Sequence, residues 1–77
     1  MDKTLYDMLM KSAEADKAKA LLSLELLGNK AVGIGDHSTE DFYKNAEEAL
    51  IKLVDADDRI STLNFYFFSN EKEQING

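Results

Sequence analysis

Hydrophobic residues in the second half of the chain recur at alternating intervals of three and four. The row consists of Phe42, Ala46, Ala49, Leu53, Ala56, Ile60, Leu63 and Phe67. This spacing is typical of the seam of a left-handed coiled coil or an antiparallel helical hairpin. Further apolar residues lie beside and beyond the seam, at Tyr43, Leu50, Val54, Ile51 and Phe65. One facing helix cannot cover so wide an apolar surface.

The first half of the chain carries two apolar stripes instead of one. The first consists of Tyr6, Leu9, Ala13, Ala20, Leu24 and Leu27, with Met10 at its margin. The second, roughly opposite, consists of Met8, Ala15, Ala18, Leu22 and Leu26. A helix that is apolar on two sides is usually packed between two neighbours. The pattern does not decide which stripe faces the second helix of the hairpin and which faces another chain.

The positions of the helix-breaking residues, proline and glycine, predict two long helices joined by one loop. Proline is absent, and glycine occurs only at positions 28, 33, 35 and 77. We predict a single domain over residues 1–68, with a helix over about 3–27, a loop over 28–38 and a helix over about 39–68. Residues 69–77 form a polar C-terminal tail, which we expect to be frayed.

Capping residues agree with these boundaries. Gly28 is placed to end the first helix, because glycine adopts a left-handed conformation without a Cβ clash. Ser38 is a good N-cap for the second helix, whose acidic first turn suits the positive end of the helix dipole. Asp2 or Thr4 is placed to cap the first helix in the same way.

These features predict an all-α fold, an antiparallel two-helix hairpin about 40 Å long. Two helices enclose no core, so we expect two hairpins to pair as a homodimer in a four-helix bundle. The residues predicted at the helix–helix interfaces are Tyr6, Leu9, Ala13, Ala20, Leu24, Phe42, Ala49, Leu53, Ala56, Ile60, Leu63 and Phe67.

Composition narrows the class of protein. The chain has 77 residues, no cysteine and one histidine, which leaves no disulfide, no thiolate metal site and no recognisable catalytic set. We therefore predict a protein that is not an enzyme and holds no cofactor. The net charge of −6 disfavours direct binding to nucleic acid or to an anionic membrane. Without a signal-peptide core or a membrane-length apolar run, we expect a soluble, cytoplasmic protein.

The stretch GNKAVGIGDHST, residues 28–39, contains the single histidine and three of the four glycines. Weak metal-ligand candidates here are Asp36, His37 and Asp41. However, the helix dipole already explains why carboxylates occur at the start of a helix, and a single histidine holds a metal ion poorly. Nucleotide-binding glycine patterns also require a preceding strand, where we predict a helix. We therefore interpret the stretch as a loop that connects the two helices and caps their ends. A small-ligand or metal site over residues 32–41 is kept as an alternative.

The acidic residues suggest a second alternative function. Acidic side chains predicted to be exposed are Glu14, Glu25, Glu47, Glu48, Asp55, Asp57 and Asp58. A negatively charged surface could act as a decoy that occupies the nucleic-acid-binding site of a host protein. Interspersed lysines weaken this hypothesis. Arg59 is a predicted partner of Asp55, four residues earlier on the same helix.

Residues 18–67 resemble a group of short proteins from tailed-phage genomes, notably marine and cyanophage-type ones. The resemblance rests on VGIGDH, residues 32–37, and on the alternating pattern of DADDRISTL, residues 55–63. It implies a phage-encoded helical hairpin in the host-cell cytoplasm, with a host or phage protein as a possible partner, and it carries over no functional residues. The favoured function is therefore a self-associating accessory or interaction protein.

Overall fold

The computed structural model describes residues 1–30 and 39–68, which form an antiparallel helical hairpin. Helix α1 spans Lys3–Lys30 and helix α2 spans Thr39–Leu63, and a π-helical turn, Asn64–Phe68, continues α2. These two ranges contain no strand. The predicted all-α hairpin is therefore confirmed. At 1.5 Å per residue, α1 is about 42 Å long.

Local hydrogen bonds explain where α1 begins. The backbone N–H of Leu5 donates to Oδ2 of Asp2 at 3.1 Å, and the backbone N–H of Tyr6 donates to the Asp2 carbonyl at 2.9 Å. Asp2 is thus the N-cap, one of the two residues predicted for that role. Helix α2 begins at Thr39, the predicted position, with Glu40 and Asp41 in its first turn.

The predicted end of α1 is wrong. The helix continues to Lys30 rather than ending near residue 27, and Gly28 lies inside it without a positive φ. Gly28 is therefore not a C-cap. Glycine permits the left-handed conformation but does not impose it, and one glycine costs a helix only about 1 kcal/mol relative to alanine. The predicted N-cap Ser38 lies outside the described residues, as does the tail over residues 69–77.

The end of α2 also differs from the prediction of regular helix to residue 68. The α-helix stops at Leu63, and NFYFF forms the π-helical turn. In this turn, Oδ1 of Asn64 accepts a hydrogen bond from the Tyr6 hydroxyl at 2.8 Å. The ring of Phe68 lies beside that of Tyr6, with centroids 6.3 Å apart. Contacts with α1 thus accompany the wider turn, and no local sequence signal predicts them.

The buried core between the helices repeats every seven residues. Its members are Tyr6, Ala13 and Ala20 in α1 and Ala49, Ala56 and Leu63 in α2. Four of these six are alanines, so the helix axes approach closely and each contact buries little apolar area. The described residues include no large side chain that is fully buried. The interior of the hairpin therefore fixes its alignment while supplying only modest hydrophobic stabilisation.

Candidate interaction surface

The register of the two helices follows from contacts at the open end of the hairpin. Tyr6 pairs with Asn64, the residue after Leu63. Seven residues further along α1 and seven residues back along α2, Ala13 lies level with Ala56. A further seven brings Ala20 level with Ala49, and these two residues line the same groove. The hairpin is therefore aligned by matched heptads.

The structure places all twelve predicted interface residues on the sides of the helices that face each other. Buried among them are Tyr6, Ala13, Ala20, Ala49, Ala56 and Leu63, and half-buried are Leu9, Leu24, Phe42, Leu53, Ile60 and Phe67. They therefore form the internal contact of the hairpin. The first stripe of α1 is its inward stripe.

The second stripe of α1 faces outward. All its members are exposed, and its large side chains, Met8, Leu22 and Leu26, are 54%, 55% and 50% exposed. Lys11, Glu14 and Glu25 lie on one side of this outward stripe and Lys19 on the other, and all four are exposed. The outward stripe is a single-helix surface with charges of both signs at its margins.

One side of the hairpin is a groove lined by apolar residues, among them Leu26 and Leu27, and by charged ones. We call it the polar groove for its charges. The charged residues lining it are Asp16, Lys19, Glu48, Lys52, Asp55 and Arg59. Acids and bases are equal in number here, although the chain is acidic as a whole. The side chains of Lys19, Glu48, Lys52 and Asp55 are exposed, so their charges are hydrated. The surface of the groove is therefore not a continuous acidic one.

Arg59 links the two helices across the polar groove. Its Nη2 donates to Oδ2 of Asp16 at 2.8 Å, and its Nε donates to Oδ2 of Asp55 at 3.1 Å. The pairing with Asp55 confirms the sequence prediction. The hydrogen bond that Arg59 donates to Asp16, aided by the charges of the nearby carboxylates, raises the pKa of Arg59 above its ordinary value, although desolvation partly opposes the shift. Arg59 thus remains charged at physiological pH, and at about two-fifths exposure it aligns the helices more than it stabilises them.

The other side of the hairpin carries Leu21. Successive residues of an α-helix turn by about 100°. Ala20 points inward and Lys19, before it, lines the polar groove. Leu21, after it, therefore lies on the opposite side of the hairpin, where it is 47% exposed.

The same reasoning places Leu50 on that side. Ala49 points inward and Glu48, before it, lines the polar groove. Leu50 therefore lies away from the groove, as Leu21 does. Residues that share its stripe at intervals of seven and four are Tyr43 and Val54. We call Leu21, Tyr43, Leu50 and Val54 the leucine face.

An ion pair lies at the edge of the leucine face. Nζ of Lys17 is 2.9 Å from Oδ1 of Asp57, across the two helices. Asp57 follows the buried Ala56, so it points to the same side as Leu50. This contact shows that the two helices meet on this side as well as along the polar groove.

Sequence reasoning missed Leu21, because it belongs to neither apolar stripe of α1. The spacing of Leu21 nevertheless indicates its position. Leu21 lies four residues after Lys17 and three before Leu24, so it occupies the margin of the inward stripe. Only the position of the polar groove shows that this margin and the second apolar row of α2 share one face of the hairpin.

The aromatic end of the hairpin is the third apolar surface. Phe65, Tyr66 and Phe68 are 73%, 58% and 51% exposed, and Phe67 is half-buried. Phe65 and Tyr66 pack edge to face with centroids 4.8 Å apart. Tyr6 of α1 meets Phe68 of this end within the same chain.

Two features of other protein classes do not occur in residues 1–30 and 39–68. Neither helix is long and apolar enough to cross a membrane. No three His, Cys, Asp or Glu side chains in these ranges are grouped to hold a metal ion. Of the metal-ligand candidates, Asp41 is exposed in the first turn of α2. Asp36 and His37 lie outside the described residues, so the ligand alternative for that loop stays a prediction.

Comparison with models of known protein families, with curated proteins and with solved structures found no match.

Proposed function

We propose that this protein is a non-enzymatic helical module that works by association, first of all with itself. The observation that carries the proposal is the arrangement of the exposed apolar side chains. Twelve large apolar side chains of the described residues are 44% to 73% exposed. Most of them fall on the outward stripe, the leucine face or the aromatic end.

The ordering of these side chains distinguishes them from ordinary surface residues. Isolated exposed apolar residues are common on monomeric proteins, whereas continuous apolar patches mark interaction sites. The buried core of the hairpin consists mainly of alanines, so packing between its two helices buries little apolar area. Pairing two hairpins into a four-helix bundle adds the larger side chains to a common core.

The proposal also includes the cellular setting in which the protein works. The resemblance of residues 18–67 to short phage-encoded proteins supports an accessory role in the cytoplasm of an infected cell. A host or phage protein is then a possible further partner. Four acids, Asp7, Asp16, Asp55 and Asp57, are held in ion pairs with basic residues. These pairs weaken the alternative of an acidic decoy, which calls for a more uniformly negative surface.

Light scattering coupled to size exclusion tests self-association. We expect a mass near twice the 8.6 kDa of the chain at micromolar concentration, and a thermal unfolding midpoint that rises with concentration. Circular dichroism in the same samples reports whether the chain is helical. A helical, cooperatively unfolding monomer whose midpoint does not depend on concentration would contradict the proposal.

A further inference from the structure

We infer that the leucine face binds the leucine face of a second copy of this chain, while the polar groove of each copy stays in solvent. The inference rests on the proposed function and assigns the surface through which self-association occurs. Both helices contribute to this face. Two copies joined through it surround one apolar core with four helices.

The area of the face matches what a dimer needs. Its four residues are 47% to 57% exposed, so each presents on the order of 100 Å², or about 400 Å² in all. A standard interface buries about 800 Å² per partner, of which roughly 57% is apolar, or about 450 Å². Complete burial of the leucine face would supply most of this amount. Half-buried neighbours such as Leu53 add to it.

One pair of charged residues lies where the two helices meet on this side. Lys17 and Asp57 have opposite signs and pair with each other, so this pair adds no net charge to the face.

The remaining surfaces are less suited to self-pairing. The outward stripe belongs to α1 alone, so two copies joined through it would leave the exposed Tyr43, Leu50 and Val54 of α2 outside the contact. Association through the polar groove would require its hydrated charges to be desolvated. The leucine face avoids both disadvantages.

Adjacent residues of the same kind provide a matched test. The variant Leu21→Lys with Leu50→Lys places one positive charge from each helix on the leucine face. The control, Leu22→Lys with Ile51→Lys, adds the same charge at neighbouring positions that point elsewhere and are 55% and 67% exposed. Both variants keep helix-compatible side chains. We measure dimer dissociation by sedimentation equilibrium, with circular dichroism as the check on folding.

We expect the dissociation constant of Leu21→Lys with Leu50→Lys to rise by about 100-fold or more, since each dimer then buries four lysines at one interface. The control stays within about threefold of the wild type. A dimeric wild type with both variants equally dimeric would overturn the assignment of the face, as would dissociation of the control alone. A monomeric wild type would instead remove the proposed function itself.

A second measurement covers the case in which the lysine variant fails to fold. The chain contains no cysteine, so a single introduced thiol can be labelled without interference. At dimeric concentrations we expect a maleimide to react at least tenfold more slowly with Leu50→Cys than with Ile51→Cys. Dilution to monomer should bring the rates together. Equal rates at dimeric concentrations would overturn the inference.

Discussion

The two stripes of α1 have similar apolar character but opposite positions in the hairpin. In the inward stripe, Tyr6, Ala13 and Ala20 are 8%, 0% and 3% exposed. In the outward stripe, Met8 and Leu22 are 54% and 55% exposed. Large side chains thus remain outside while alanines are buried. Hydrophobicity alone does not select the stripe that packs against α2.

Shape and register account for the difference. Tyr6, Ala13 and Ala20 are seven residues apart, as are Ala49, Ala56 and Leu63 in α2. Matching heptads allow small residues to meet at every level, so the backbones approach closely. The outward stripe has larger side chains, which stay exposed in the hairpin. The heptad register, and not the apolar area of a stripe, therefore decides which stripe faces α2.

Enlarging one alanine in each stripe gives the strongest test of this comparison. Ala13→Leu inserts three carbons at a position with 0% exposure. We expect it to lower the free energy of unfolding by about 1–3 kcal/mol, because overpacking forces the helices apart. The control Ala15→Leu, two residues away on the exposed stripe, should change the same free energy by less than about 0.5 kcal/mol. Urea unfolding at a fixed protein concentration measures both.

Equal destabilisation by the two alanine variants would show that the stripes do not differ in packing. Greater destabilisation by Ala15→Leu would reverse the assignment and place the outward stripe against α2.

Removing the hydroxyl of Tyr6 tests the polar contact at the end of the inward stripe. Tyr6→Phe abolishes the 2.8 Å hydrogen bond to Asn64 while keeping the ring. We expect the free energy of unfolding to fall by about 0.5–1.5 kcal/mol, the usual net contribution of such a bond. The control Tyr43→Phe removes the hydroxyl of a ring that is 57% exposed in the hairpin. Because Tyr43 belongs to the leucine face, both variants are compared at concentrations where the chain is monomeric, and there the control should be nearly neutral. If thermal unfolding shows the two changes to be equivalent, the Tyr6–Asn64 contact does not help to align the helices.

Helix α2 could be predicted almost entirely from sequence, and α1 only in part. The strict three-four alternation from Phe42 to Phe67 has a single helical interpretation, and the structure buries or half-buries every member. In α1, two opposite stripes satisfy the same periodicity, so its orientation depends on the heptad match with α2. A property of the pair of helices decides it, and local pattern in one helix does not.

Two local details could not be predicted for a similar reason. The π-helical turn at Asn64–Phe68 occurs together with contacts to Tyr6, which is distant in sequence. The leucine face combines Leu21 with the second apolar row of α2, and only the register of the hairpin brings them to one side. The ligand hypothesis for Asp36 and His37 stays a prediction, because it lies outside the described residues.

The smallest expected effect is that of Gly28→Ala, a substitution outside both stripes that should raise the free energy of unfolding instead of lowering it. Gly28 lies inside α1 without a positive φ, and a Cβ added there meets no atom within 4 Å. Gly28→Ala should therefore raise the free energy of unfolding by about 0.5–1 kcal/mol, because alanine loses less conformational entropy in a helix. If Gly28 were instead a left-handed cap, alanine would be strained and the same substitution would be destabilising. The sign of the change in urea midpoint thus decides between the two conformations. It also measures helix propensity separately from packing, which allows the Ala13→Leu result to be assigned to the contact between the helices.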